Sequence, residues 1–244
     1  MASTIIDLED PNFPTKSSMR DDFCYANNVA QANIYVRMGF LRKVYGILCV
    51  QLLFTTIVAC ILKFTPAIRS FVSQSHWLIT VALFLSLGLL IALHIKRRQT
   101  PINFILLGAF TVVQAYSIGV VVTYYDDLIV LQAFLLTAAV TLGLTAFTFQ
   151  SKRDISKIGG SLFAALCILI IGGIVQMFLG STVLEILLAA GGSLIFSLFI
   201  VYDTHMIMHR ISAEEYILAT IELYLDIINL FLELLRLLEA IRKN

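Results

Sequence analysis

The chain contains six apolar stretches, at 44–62, 77–95, 102–124, 128–149, 159–178 and 183–202; five hold no charged residue and the sixth holds only Glu185. A helix needs about 20 such residues to cross the hydrocarbon core, and inside that core every backbone polar group must be satisfied within the segment. Six of them in 244 residues commit the chain to an all-helical, polytopic membrane bundle. Composition agrees: 59% of residues are hydrophobic and 14% charged, where a soluble domain would be roughly half apolar and about a quarter charged. A net charge of +1 offers no basic face, so no nucleic acid is expected as a partner. The lipid bilayer is.

The joints between stretches are short. They carry Pro66, then Lys96-Arg97-Arg98 with Pro101, Asp126-Asp127, Lys152-Arg153-Asp154 and Gly180-Ser181. Connections this short make neighbouring helices antiparallel and leave no room for a soluble domain. Residues 1–33 are rich in acids, prolines and serines and lack an apolar h-region. They are expected to form a flexible cytosolic tail without a cleavable signal peptide, followed by a seven-helix transmembrane domain at 34–244. Cys24, Cys49, Cys60 and Cys167 form no CxxC pair, so packing is expected of them rather than zinc or redox chemistry. Twelve basic residues fall on the tail's side of the expected topology, against Lys63 and Arg69 on the other before the last segment. That asymmetry predicts a cytosolic N-terminus.

The seventh segment, 212–242, is different because acids interrupt its apolar runs. At 100° per residue, Glu222, Asp226, Asn229, Glu233 and Arg236 share a stripe about 80° wide. Such a stripe is costly against lipid, so it is expected to face the protein interior or a wet cavity. The alternative is an amphipathic helix in the headgroup plane, which would normally be Lys/Arg-rich on its polar face. Ser212 and Glu215 have capping-box spacing, predicting a helix start there after a turn at Arg210-Ile211. A full crossing leaves Arg242 and Lys243 on the lumenal side, and a re-entrant segment returns them to the cytosol. The sequence leaves both open.

Three stretches, IYVRMGFLRKVYGILCVQL (34–52), FIVYDTHMIMHRISAEEY (199–216) and LYLDIINLFLELLRLLEA (223–240), resemble the lifeguard branch of the Bax-inhibitor membrane family. The resemblance implies six helices around a central seventh and a pH-sensitive calcium leak of Golgi or endoplasmic-reticulum membranes that lowers stored calcium and suppresses apoptosis. By motif, Asp203 in VYDTH and Asp226 in LYLDIINLF correspond to a pair of aspartates that share a proton and hold the pore segment shut. Two buried carboxylates side by side do not both ionise cheaply, which makes a proton sensor. Counted from a turn near Arg210, Asp203 lies about 11 Å along its helix and Asp226 about 23 Å, so direct pairing needs tilted helices or a connector that climbs back. An ordinary structural role, one aspartate capping and the other bonded to a Tyr or Asn, is the competing reading.

Glu185 matches an acidic position linked in this branch to calcium flux, and a carboxylate favoured by a helix N-terminus is an equal alternative. Glu222 and Glu233 depart from the small or neutral residues expected in relatives and are further ion-pathway candidates. Lys96 and Arg97 stand where bacterial relatives place an arginine that engages the aspartate pair, making them gate-partner candidates; positive-inside topology alone also explains them. Calcium is then the transported ion and no cofactor is implied. Calcium-release channels, apoptosis regulators and a second copy of the chain are candidate partners.

Two other functions compete. A regulator that conducts nothing could act through protein partners alone. A membrane zinc hydrolase would use His205, His209, Asp203 and His94, but Met206 occupies the place where an HExxH enzyme carries its general-base glutamate.

Overall fold

The computed structural model describes residues 34–74, 77–151 and 153–243. The expected tail at 1–33, with Cys24, lies outside the described residues. Among those described there are eight α-helices and no strand. In chain order they are α1 (Ile34–Phe64), α2 (Pro66–Gln74), α3 (Trp77–Lys96), α4 (Ile102–Val122), α5 (Asp127–Gln150), α6 (Gly159–Leu179), α7 (Thr182–His209) and α8 (Tyr216–Lys243). Six of them, α1 and α3 to α7, are long and apolar enough to cross a membrane.

The apolar stretches reappear as these six helices, α7 running on past Tyr202 to His209, with two further differences. α1 begins at Ile34 rather than at 44. Its early turns are amphipathic: Phe40, Val44 and Leu48 are buried at i, i+4 and i+8 while Arg42 and Lys43 are exposed, so one face packs before the segment is apolar all round. The second difference is α2, which the joint at Pro66 conceals. Pro66 stands at the first helical position, where its missing N–H costs nothing, and Val72 packs with Leu62 and Val120.

Local chemistry fixes the other joints. Asp126 caps α5 by accepting the Leu128 N–H at 2.9 Å. Gly180 ends α6 with φ 59°, a left-handed conformation natural to glycine, and donates its N–H to Gln176 O. Ser181 then starts α7, giving the two-residue turn expected at Gly180-Ser181.

The seventh expected segment is α8, and it is the centre of the bundle. It packs against α7, α5, α1 and α4, while α3 lies on α4 and α6 lies on α7. Ile217, Ile221, Leu223, Tyr224, Leu230 and Leu235 are almost wholly buried. Among the described residues, the exposed large apolar side chains come from the other helices and, at Tyr124, from the α4–α5 loop, with Ile241 the single contribution of α8. A helix in the headgroup plane would expose one whole side, so the amphipathic-surface alternative is overturned.

The expected capping box is also corrected. Residues Ala213–Glu215 form a 3-10 turn and the α-helix starts only at Tyr216. Ser212 accepts from the Glu214 N–H at 3.5 Å, while the Glu215 carboxylate turns away to Arg97 and Arg98. The stronger partner wins: two guanidinium groups satisfy a carboxylate better than one backbone N–H.

Candidate functional site

Asp203 lies in the last two turns of α7, and Asp226 lies in the first half of α8. Their side chains are in hydrogen-bonding contact. The connector resolves the difference in depth, because α8 starts only at Tyr216. Counted from the observed helix ends, Asp203 is about 9 Å along α7 and Asp226 about 15 Å along α8. The remaining offset is about one helical turn, taken up by the connector at 210–215. Asp226 is buried and its Oδ2 has no hydrogen-bond partner; Asp203 is half-buried.

Glu222 is one turn before Asp226 on the same face of α8 and lies within electrostatic range of Asp203, Asp226, Glu215 and Arg97. Arg97 Nη2 meets Glu215 Oε1 at 3.2 Å, and Arg98 Nη2 meets the same oxygen at 2.8 Å. The turn after α3 is held by Asn103, whose Nδ2 donates to Arg97 O at 3.0 Å. Of the two gate-partner candidates, Arg97 is therefore the one brought toward the carboxylates. Lys96 is half-buried and makes no ion pair among the described residues. The ion pair of Glu215 with Arg97 and Arg98 was not foreseen from the sequence, where Glu215 has a capping role, although its signal is plain: a basic run follows one helix and an acidic pair closes the connector.

Glu233 is buried farther along the α7–α8 interface. Its carboxylate takes Arg236 Nη1 at 3.1 Å, and it lies directly over Gly192 of α7. A Cβ on that glycine would come within 2.8 Å of Glu233 Cγ and Cδ, so the missing side chain is what lets the glutamate lie between the helices. Glu185 is in the first turn of α7, about 27 Å from Asp203 along the helix. It belongs to the opposite end of the bundle, in electrostatic range of Tyr125 and Lys243. The acidic candidates thus line the α7–α8 interface from one end to the other, with Asp203, Glu222 and Asp226 in one half.

The residues of the hydrolase alternative are not assembled. Asp203 is engaged with Asp226, and His94 is exposed beside Arg97. The His205 and His209 rings stack on each other with centroids 4.4 Å apart. Among the described residues no group of three His, Cys, Asp or Glu side chains could hold a metal ion. His205 instead faces the α5–α6 loop, its Nε2 3.9 Å from Asp154 Oδ1. Asp154 accepts from Ser156 Oγ at 2.6 Å and from the Ser156 N–H at 3.0 Å. These two bonds, with Arg210 and His205 nearby, hold its carboxyl below the usual range.

At the other end, Lys63 of α1 is buried; its Nζ donates to Tyr125 O at 2.8 Å and Val122 O at 3.2 Å and pairs with Asp127 at 2.9 Å. Arg69 of α2 donates to Thr123 O at 3.3 Å. Both cations serve the free carbonyls at the C-terminus of α4, a role that a count of loop charges does not reveal.

A family model described as "Inhibitor of apoptosis-promoting Bax1" matches residues 37–244. The chain is 51% identical to protein lifeguard 4 of Mus musculus, over 96% of this chain and 98% of that one. It is 48% identical to the Golgi anti-apoptotic protein of Vaccinia virus (strain Lister), over 96% and 99%, and 38% identical to Bax inhibitor 1 of Schizosaccharomyces pombe, over 94% and 87%. With its VYDTH and LYLDIINLF aspartates facing each other across α7 and α8, the chain belongs to the Bax-inhibitor family of membrane proteins.

Proposed function

We propose that the chain is an anti-apoptotic, multi-pass protein of Golgi and endoplasmic-reticulum membranes, with a cytosolic N-terminus, and that it acts as a pH-sensitive calcium leak channel. The names of its relatives support the anti-apoptotic and Golgi parts. The observation that carries the channel reading is the Asp203–Asp226 contact at the central helix. Two carboxyl groups so placed hold one proton between them. When that proton leaves, two like charges face each other; at 4 Å and an effective dielectric of 20 such charges repel by about 4 kcal/mol. Moving a two-state element from 1:99 to 99:1 takes about 5.5 kcal/mol, so the repulsion is of the size needed to part α7 from α8. Calcium requires hard oxygen ligands, and Glu222, Asp226, Asp203, Glu233 and Glu185 supply them along that same interface. Calcium is the transported ion and no resident cofactor enters the scheme. Calcium-release channels, apoptosis regulators and a second copy of the chain remain proposed partners.

The test is calcium flux into liposomes that contain only the purified chain, measured across pH 5 to 8 beside Asp203→Asn and Asp226→Asn. Wild-type flux should vary with pH and both variants should flatten that dependence, because a shared proton belongs to the pair. Absence of flux from the wild type would overturn the channel and leave a regulator that works through protein partners.

A further inference from the structure

The face of α8 opposite the aspartate pair carries its own polar attachment. Tyr224 precedes Asp226 by two residues, so the two side chains leave the helix about 200° apart. Asp226 meets α7. Tyr224 is fully buried on the other side, its ring edge-on to Phe110 of α4 at 6.4 Å and its hydroxyl 2.8 Å from Thr55 Oγ1 of α1. The direction of that bond follows from counting protons. Thr55 has one hydroxyl proton and gives it to Gln51 O at 2.8 Å, so Tyr224 is the donor and Thr55 the acceptor. Gln51 in turn donates from Nε2 to Thr111 Oγ1 of α4 at 2.8 Å, and Thr111 passes its proton to Leu107 O. Gln51, Thr55, Thr111 and Tyr224 are all buried. They join α1, α4 and α8 through a single chain of hydrogen bonds in the middle of the bundle.

We infer that the Tyr224–Thr55 hydrogen bond sets the rotation of α8 about its own axis, so that Tyr224 is a positioning residue for the contact between Asp226 and Asp203. A rigid helix that turns to part Asp226 from Asp203 swings Tyr224 the opposite way. The phenol hydroxyl lies farther from the axis than a carboxyl group, so the same rotation moves it more and breaks its bond. In a low-dielectric core the two partners find no water in exchange, so the bond opposes rotation. Tyr45 of α1 adds a smaller tie to α7, its hydroxyl 3.3 Å from Thr204 beside Asp203. The charged group that faces the pair is Glu222 on α8, and Glu222 is in turn within electrostatic range of Glu215 on the connector and Arg97 after α3. None of them is near Tyr224 on the opposite face, where the partner is the neutral Thr55.

This inference rests on the proposed leak, and the test separates the two. Calcium flux is measured across pH 5 to 8 in liposomes for the wild type, Tyr224→Phe, Thr55→Val and the double variant, each first shown to be monodisperse and helical. Tyr224→Phe removes only the hydroxyl. Either single variant should raise the flux at the pH of lowest wild-type leak by about threefold to tenfold, the factor carried by one net hydrogen bond, and should move the midpoint of the pH profile. The double variant should add nothing further, since both changes remove the same bond. Unchanged pH profiles in the single variants, or additive effects in the double, would overturn the inference while the leak stands. A wild type without flux would overturn both. If Tyr224→Phe does not fold, Thr55→Val alone decides by the same shift.

Discussion

Arg242, in the last turn of α8, meets Asp126 in the α4–α5 loop at 3.0 Å. At the other end of the same helix, Glu215 meets Arg97 and Arg98 after α3. α4 runs between those two loops, so the 28 residues of α8, about 42 Å of unbroken helix, traverse the bundle from one end to the other. The last segment therefore makes no return turn within the bundle. Its terminal charges have partners instead: Arg242 with Asp126, and Lys243 with Glu239 at 2.9 Å. That pairing answers the conflict with the positive-inside tendency, which concerns cations in short loops and yields to packing of the whole segment.

Accessibility follows from this path. In a background with Cys24, Cys49, Cys60 and Cys167 replaced by alanine, Asp126→Cys and Arg242→Cys should react with a membrane-impermeant maleimide from one side of sealed vesicles, and Arg98→Cys from the other. With the proposed cytosolic N-terminus, protease at the cytosolic face cuts near Lys16 and the maleimide there reaches position 98. Labelling of positions 98 and 242 from the same side would contradict the traverse.

Two of the cations at the α4–α5 end, Arg242 and Lys63, should differ in weight. Arg242 and Asp126 are both about half exposed, so Arg242→Ala should change thermal stability in detergent by about 0–1 kcal/mol. Lys63 is only 7% exposed and serves two backbone carbonyls. Lys63→Met leaves those acceptors without a donor and should cost about 1–3 kcal/mol. Equal losses would mean that Lys63 contributes only its charge.

The legible part of this fold was whatever absence of charge could mark. The six spans are visible because lipid tolerates so little charge, and their joints because glycine, proline and paired charges break helices. Their ends were less legible: α1 starts where Phe40, Val44 and Leu48 begin to pack, not where Arg42 and Lys43 stop. α2 escaped because nine residues, two of them serines and one an arginine, make no long apolar run. At the site, periodicity placed Asp226 on an inward stripe, but its partner came from the resemblance, and the depth count required tilted helices or a climbing connector. That count began at Arg210, whereas the α-helix begins at Tyr216; the capping spacing at Ser212 is satisfied in sequence while Glu215 is taken by Arg97 and Arg98 after a distant helix. No local reading of the connector contains that competition. The burial of Lys63 and the Tyr224 attachment likewise depend on helices that meet only in three dimensions.

Asp154 provides a pH effect outside the membrane. Its hydrogen bonds from the Ser156 side chain and backbone hold the folded carboxyl below the ordinary value of 3.8. A depressed folded value means that the stabilisation is complete above the unfolded value and is lost as pH falls through the folded one. Anchoring of the α5–α6 loop to Arg210 should therefore be constant from neutral pH to about pH 5 and weaken below pH 4. Hydrogen exchange of the Ser156 amide reads this directly: protection should drop in acid for the wild type, while Asp154→Asn should show low, pH-independent protection. A wild-type amide equally protected at pH 3 and pH 6 would remove Asp154 from the anchor.

Glu222 and Glu233 share a stripe but not an environment, and their variants should separate accordingly. Glu222 lies in the field of Asp203 and Asp226, so Glu222→Gln relieves like-charge repulsion at the pair and should shift the pH midpoint of flux by about half a unit or more. Glu233 is neutralised by Arg236 and packed over Gly192. Glu233→Gln frees the guanidinium as an uncompensated positive charge in the proposed pathway, which would repel calcium; flux should fall by about threefold or more, a barrier increase of roughly 0.65 kcal/mol, with no shift of the midpoint. Arg236→Met makes the opposite change. It frees the Glu233 carboxylate to act as a calcium ligand, so flux should rise. Opposite signs in the two variants, measured in the same liposomes, are what an ion path along α7 and α8 requires. If both lower the flux alike, the Glu233–Arg236 pair holds helices together and calcium passes elsewhere.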